Sequence, residues 1–500
     1  MSTACQAQPV GEPPIVNVDN VSFRYQDSTA GITDVTIQAS RGERILLLGK
    51  NGSGKSTLLS LIAGKHAASA GKVSVLGRDG FNDTTLNWHV ALIGTPWPPE
   101  AYFNCSVKRV ASPAPDEARR AKIAGALHLP LSADIDKMSA GEKRRVQVLH
   151  GMLRENDVLL LDECSTEIDL AERRTVLSLV AEECEGPKRA CCIYATHILD
   201  GIEDWATRVI VMEDGKVVRD EPYDAALRAD KLLAHRWLAK EPFVPFEPVS
   251  KYPFAAGDAL KEDEVAIRVN NLSFKRGERY ILKDCSFVIP KGARALLVGC
   301  NGTGKTTLLQ MLAGRTFFAN KNSELTIHGY RCFHDIPQLN RLVSFGGDWW
   351  TRLPGGEMHV GELIASPLTE HAENVRAALR VDLRWDVRYV SAGERKRIQL
   401  LLALEAPSQV VLLDEATADL DLDMRHVLLH LLTKYSREHN VTVLYTTHIF
   451  EGLENWATDC VILDRNKLGV HEHIRGGVDT RSIMDTLIDL KSKETWFSPE

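Results

Sequence analysis

Ile45–Thr57 reads ILLLGKNGSGKST, and 250 residues later Ala295–Thr307 reads ALLVGCNGTGKTT. In both, an apolar run fit for one buried strand enters a glycine-rich turn that opens a helix. Glycines let the backbone curl until successive N–H groups point at phosphate oxygens, and the helix that follows adds its positive N-terminal end. Gly49, Asn51, Gly52, Ser53 and Gly54 form the first cradle; Gly299, Asn301, Gly302, Thr303 and Gly304 form the second. Lys55 and Lys305 are placed to reach the β- and γ-phosphates of a nucleotide. Ser56 and Thr306 are placed to hold Mg²⁺, and Thr57 and Thr307 close the two runs. The expected fold is α/β, with two P-loop domains.

The duplication extends well beyond these loops. Ser139-Ala140-Gly141-Glu142 returns as Ser391-Ala392-Gly393-Glu394, and Leu160–Glu163 (LLDE) returns as Leu412–Glu415. Tyr194–His197 (YATH) returns as Tyr445–His448 (YTTH), and Gly201–Thr207 (GIEDWAT) as Gly452–Thr458 (GLENWAT). The offset stays between 250 and 252 residues, so one domain has been copied with almost no net insertion. The expected division is a flexible leader 1–13, a first domain 14–240, a connector 241–264, a second domain 265–480 and a tail 481–500. The connector includes Glu241–Phe254 (EPFVPFEPVSKYPF), too rich in proline for a continuous helix. Its Phe243, Phe246, Tyr252 and Phe254 are expected to pack on a domain surface.

The apolar runs Val158–Leu161 and Val410–Leu413 read as strands that end in acidic pairs. Asp162 and Asp414 are placed to bind Mg²⁺ through water, and Glu163 and Glu415 to accept a proton from an attacking water. An acidic pair can also merely close a strand; the loops upstream favour chemistry.

Together these motifs resemble the ATP-binding-cassette (ABC) ATPases. Ser139 and Ser391 each lie 23 residues before the strand-end aspartate, a spacing similar to that family rather than to other P-loop enzymes. The resemblance covers nearly all of the chain outside the leader, connector and tail. It implies that each mainly parallel sheet core carries an antiparallel β part and a helical subdomain. It also implies that the two domains dock head to tail around two ATP molecules. Ser139 and Gly141 would then complete the site of Lys305, and Ser391 and Gly393 that of Lys55. A Ser-x-Gly turn opening a helix offers N–H groups and a hydroxyl to a γ-phosphate, which agrees with that assignment. By the same resemblance, His197 and His448 contact the γ-phosphate and orient the attacking water. Asp169 and Asp421 match the family's loop that links the two sites; as plain residues they also suit loop caps. Tyr25 resembles the adenine-stacking aromatic. Arg276 stands at the equivalent position of the second half, where a guanidinium can still stack on a base.

Transporting members carry a glutamine after the strand that here runs Val90–Gly94. This chain has Gly94-Thr95-Pro96-Trp97 and, in the second half, Gly346-Gly347-Asp348-Trp349-Trp350. From lysine to signature serine the spacing is 84 and 86 residues, shorter than in transporters. The runs Arg384–Ser391 (RWDVRYVS) and His448–Leu453 (HIFEGL) are similar to the non-transporting cytosolic ABC ATPases. That branch includes the yeast factor associated with the carbon-catabolite-repression NOT complex and its plant relatives. The resemblance implies an ATP hydrolase that remodels or regulates a soluble protein complex, with its two cassettes paired inside one monomeric chain.

Bulk properties narrow the alternatives. A net charge of -7 argues against a general nucleic-acid or membrane-surface binder, so any nucleic-acid contact is expected to be indirect. No apolar stretch approaches the roughly 20 residues needed to span a bilayer, and a cytoplasmic location, with a nuclear one open, is expected. The ten cysteines show no C-x-x-C pair and read as buried reduced thiols. Two other readings stand beside the remodelling one. The first is the ATP-binding subunit of a transporter with separate membrane subunits. The second is a ribosome-associated translation ATPase.

Overall fold

The computed structural model describes residues 12–25, 31–98, 101, 104–112, 116–165, 167–202, 204–229, 237, 246, 260–318, 322–347, 357–364 and 367–493. These fall into two units. One lies within Met1–Ser165, Arg174–His197 and Ile202–Leu233, the other within Thr166–Arg173, Ile198–Gly201 and Ala234–Glu500.

In the first unit a six-stranded sheet runs in the order Lys216–Pro222, Arg208–Glu213, Arg44–Gly49, Cys191–Ala195, Val158–Asp162, Val90–Ile93. All neighbours pair in parallel except Lys216–Pro222, which returns antiparallel on the edge. The central strands are apolar on both faces, as burial between layers demands, and Ile45–Leu48, Val158–Leu161 and Cys191–Ala195 are buried throughout. A second sheet of four strands, Gly31–Ala39, Val16–Arg24, Ala70–Val75 and Arg78–Asp79, is wholly antiparallel. One continuous core of Val16, Val18, Ile37, Ile45, Leu47, Leu58 and their neighbours fills the space between the sheets and the helix Lys55–Ile62.

The second unit repeats this plan. Its six strands lie in the order Val343–Gly346, Val410–Asp414, Thr442–Thr446, Arg294–Gly299, Asp459–Asp464, Gly469–Arg475, again parallel but for the last. Its antiparallel sheet consists of Arg279–Pro290, Val265–Arg276, Glu324–Ile327 and Tyr330–Arg331. The expected architecture, a mainly parallel core with an antiparallel part, is present in both units. Each also carries a helical portion ahead of its strand-end carboxylates. In the first unit it comprises Val107–Val110, Glu117–Ala126 and Ala140–Met152; in the second, Val360–Leu363, Glu370–Ala378 and Ala392–Leu404.

Two segments depart from, or bear on, the sequence reading. Most of the stretch expected as a tail forms a helix, Thr480–Ser492, whose Ile483, Leu487 and Leu490 join the core of the second unit. Of the connector aromatics, Phe246 is buried against that core and stands 4.6 Å from the His430 ring. Phe243, Tyr252, Phe254, Asp348, Trp349 and Trp350 lie outside the described residues. Among the described residues no helix is long and apolar enough to cross a membrane.

Candidate active sites

Strand Arg44–Gly49 delivers the chain into the first glycine loop, and Lys55 begins the helix that leaves it. Gly54 adopts φ 100°, and Gly304 φ 94° in the second unit. A side chain at Gly54 would meet Ile32 Cγ2 at 2.6 Å, so the turn needs glycine for both its backbone and its surroundings. The loop wraps the lysine: Lys55 Nζ donates to the carbonyls of Gly49 (2.6 Å) and Lys50 (3.0 Å). Lys305 does the same to Gly299 (2.7 Å) and Cys300 (3.2 Å). Both ammonium groups are buried in carbonyl nests. Thr303 satisfies its hydroxyl on Cys300, whereas Ser53 Oγ is buried without a hydrogen-bond partner among the described residues.

The strand-end residues close on the same loops. Ser56 Oγ donates to Asp162 Oδ1 at 3.0 Å, bringing together two oxygen donors of the kind a hard cation takes. Thr306 hydrogen-bonds Asp414, which also accepts from Thr446 at 2.7 Å. Burial pushes the Asp162 and Asp414 carboxyls up, against the pull of these hydroxyls. A divalent cation would relieve that burial of charge, so the donor sets fit Mg²⁺.

Glu163 and Glu415 come next in the chain, and both stand in the left-handed region, at φ 47° and 46°. Each backbone N–H is tied to the neighbouring strand, Glu163 to Ala195 O and Glu415 to Thr446 O, which holds the unfavourable turn. Their side chains face the predicted histidines: His197 Nδ1 lies 3.2 Å from Glu163 Oε1, and His448 Nδ1 lies 3.5 Å from Glu415 Oε1. Burial alone would raise both glutamates. Their histidines outweigh it, helped by Lys55 and Arg144 in one unit and Lys305 and Lys396 in the other, and hold both carboxyls at about 2. His197 Nε2 is buried and has no hydrogen-bond partner among the described residues. A buried polar atom without a partner is costly unless a ligand completes it.

The signature residues do something the sequence reading did not describe. Ser139 is the N-cap of Ala140–Met152, accepting from Glu142 N, while the Glu142 carboxylate accepts from Ser139 N at 2.8 Å. Ser391 and Glu394 make the same reciprocal pair at the head of Ala392–Leu404. Gly141 is buried in the first turn of its helix and Gly393 half-buried in its own. Among the described residues the side chain of Ser139 bonds only with Glu142. Asp169 and Asp421 also cap, accepting from Glu172 N and Met424 N.

Sequence reading passed over two further groups. Arg144, five residues into the signature motif, is buried and donates to Gly94 O and to Gln147 Oε1 (2.9 Å); Gln147 in turn donates to Thr95 O at 3.2 Å. Lys396 is its buried counterpart. Arg144 is the middle of the run Lys143-Arg144-Arg145, so residue type alone does not separate it from its neighbours. The loop that lacks glutamine thus has Gly94 against Asp162, where a side chain would start 3.2 Å from Asp162 Cβ.

Tyr25 meets Thr57 Oγ1 through its hydroxyl (3.5 Å) and sits edge-on to Phe23 and His66. Arg276 pairs with Arg279 at the exposed tip of a hairpin, carrying no aromatic surface to the loop. Tyr280 on the return strand is the nearby ring, covered by Lys275 Nζ at 4.4 Å and followed by Ile281 and Leu282, which line Gly304. An alignment by offset alone looks only at position 276 and misses it.

Comparison with known proteins bears on these sites. The family model for ABC transporters matches residues 32–166 and 282–418, once in each copy. ABC transporter I family member 20 of Arabidopsis thaliana is 34% identical over 227 residues, which is 42% of this chain and 69% of that protein. CCR4-associated factor 16 of Saccharomyces cerevisiae is 31% identical over 228 residues, 42% of this chain and 78% of that protein. A chain from the complex of archaeal ribosomal stalk protein aP1 and archaeal ribosome recycling factor aABCE1 aligns over 94% of this chain and 92% of its own, with TM-score 0.68. Its 19% identity makes that a likeness of fold.

Proposed function

The chain belongs to the ABC transporter family as a tandem-cassette ATP hydrolase, and on that premise we propose that it binds two ATP molecules and uses their hydrolysis to regulate or remodel a protein complex in the cytoplasm. In each cassette the phosphate loop binds the nucleotide. Gly49, Asn51, Gly52, Ser53, Gly54 and Thr57 contribute in one, and Gly299, Asn301, Gly302, Thr303, Gly304 and Thr307 in the other. Lys55 and Lys305 leave their carbonyl nests for the β- and γ-phosphates. Ser56 with Asp162, and Thr306 with Asp414, hold Mg²⁺, which would neutralise charge on the phosphates. Ser391 and Gly393 complete the Lys55 site, and Ser139 and Gly141 the Lys305 site, each exchanging part of a helix cap for a γ-phosphate. Tyr25 stacks on one adenine; Tyr280, rather than Arg276, serves the second.

One observation carries this reading. In both units a strand-end glutamate is held in a strained backbone conformation with its carboxylate on a histidine, beside a buried lysine and a hydroxyl–aspartate pair. Strain of this kind persists where the surroundings over-determine it, and it clusters at reacting centres. An ionised glutamate oriented by histidine can accept the proton of an attacking water once its carboxyl, held at about 2 by that histidine, is freed from it. Phosphate would draw the histidine toward itself and release the carboxylate.

The remodelling role is supported by the relatives, which include a factor named for its association with CCR4. The test is the Glu163→Gln, Glu415→Gln variant. It should retain Mg·ATP binding while turnover falls about a hundredfold or more, and it should hold its partners in an ATP-dependent pull-down. Unchanged turnover would overturn the assignment of the bases. Retention of ribosomes instead of a discrete protein complex would replace remodelling by a translation role, and retention of an integral membrane protein would replace it by transport.

A further inference from the structure

The helix that opens at each signature serine carries a buried cation five residues after that serine. In the first unit this is Arg144, whose guanidinium donates to Gly94 O and is steadied by Gln147. Gly94 abuts Asp162, so the arginine, the glycine loop and the acidic pair form one packed group. In the second unit Lys396 and Gln399 occupy the same places and are equally buried, and a side chain at Gly347 would start 3.3 Å from Asp414 Cβ. The two units share the charge but not the shape of the side chain. The neighbouring pair behaves differently: Arg145 and Arg397 are the same residue, and both serve a helix-end carbonyl, Leu127 O and Leu379 O. Burying a cation is costly unless opposite charge lies near it, and a site that needed only packing would not keep one. What the two copies have in common is a buried cation and a buried glutamine at the same two places in the helix.

We propose that Arg144 and Lys396 are positioning residues for hydrolysis, each fixing the strand-end acidic pair and the glycine loop beside it to the helix that begins at the signature serine. Events at the head of that helix are thereby transmitted to the carboxylates through the buried cation, without a glutamine on the loop itself. The inference rests on the ATPase reading above and adds residues to it.

The experiment uses the full chain and compares steady-state ATPase with binding of a fluorescent methylanthraniloyl-ATP in Mg²⁺. Arg144→Met with Lys396→Met should lower kcat about tenfold or more while the Kd of the probe moves less than about twofold. The charge-keeping exchange, Arg144→Lys with Lys396→Arg, should hold kcat within about threefold of the unmodified chain. If the methionine pair unfolds at a lower urea midpoint, Arg144→Gln with Lys396→Gln tests the same point with a polar, uncharged side chain. Full kcat in the uncharged variants overturns the inference, as does a loss that appears equally in Kd or one that the charge-keeping exchange shares. An unmodified chain that binds no probe overturns the ATPase reading instead.

Discussion

At the scale of single residues, the strand-end glutamates combine a left-handed backbone with a histidine partner in both units. Glu163 and Glu415 are held left-handed by bonds to the adjoining strand, at a cost of about 1–3 kcal/mol each. The glycines of the phosphate loops solve the same problem without strain. Gly54→Ala places a methyl group 2.6 Å from Ile32 Cγ2 at φ 100°, and should destabilise the chain by about 1–3 kcal/mol and abolish probe binding at that loop. Gly77→Ala, at φ 73° but in open space, is the control. It should cost no more than about 1–2 kcal/mol and leave binding intact. Urea unfolding and nucleotide titration of the two variants check both statements, and equal losses would mean that the Ile32 clash has no part.

At the scale of elements, the signature helices begin with a reciprocal cap, and Ser-Ala-Gly-Glu spells one as plainly as it spells a ligand motif. Ser139→Ala should cost about 1 kcal/mol of stability, whereas Ser139→Asp keeps a capping oxygen and should cost much less. If ATP turnover falls in both while stability falls only in the first, the hydroxyl serves nucleotide as well as helix. Turnover that simply follows stability would confine Ser139 to the cap. The parallel strands were legible because Ile45–Leu48, Val158–Leu161 and Val410–Leu413 are apolar on both faces. The helix Thr480–Ser492 was not, although Ile483, Leu487 and Leu490 follow its period. Reading by repetition finds only what occurs twice, and no matching segment had been seen in the first half. Arg144 was missed for a related reason. A charged residue in a helix reads as solvated until packing shows where it points. Tyr280 sits on the partner strand, which spacing along the chain cannot reveal.

At the scale of the whole molecule, the thiols form a coherent pattern. Nine of the ten cysteines are described; eight of these are buried, Cys105 being partly exposed. Burial pushes the Cys184 and Cys332 thiols up to about 12 and Cys191 higher still, so the nucleophilic thiolate is suppressed. In native buffer at pH 8, Ellman's reagent should therefore titrate Cys105 first among the described thiols, with the eight buried ones reacting only on the timescale of unfolding. Rapid reaction of more than about two equivalents would contradict the burial described. Even Cys300, inside the second phosphate loop, is walled off, with its sulfur toward Leu487 O. Mild oxidants have little to attack in such an interior, so peroxide that silences thiol-dependent enzymes should pass this one by. The same shielding is an experimental convenience: once Cys5 and Cys105 are replaced, reporter cysteines can be added at chosen surface positions and labelled one by one while the eight buried thiols stay in place.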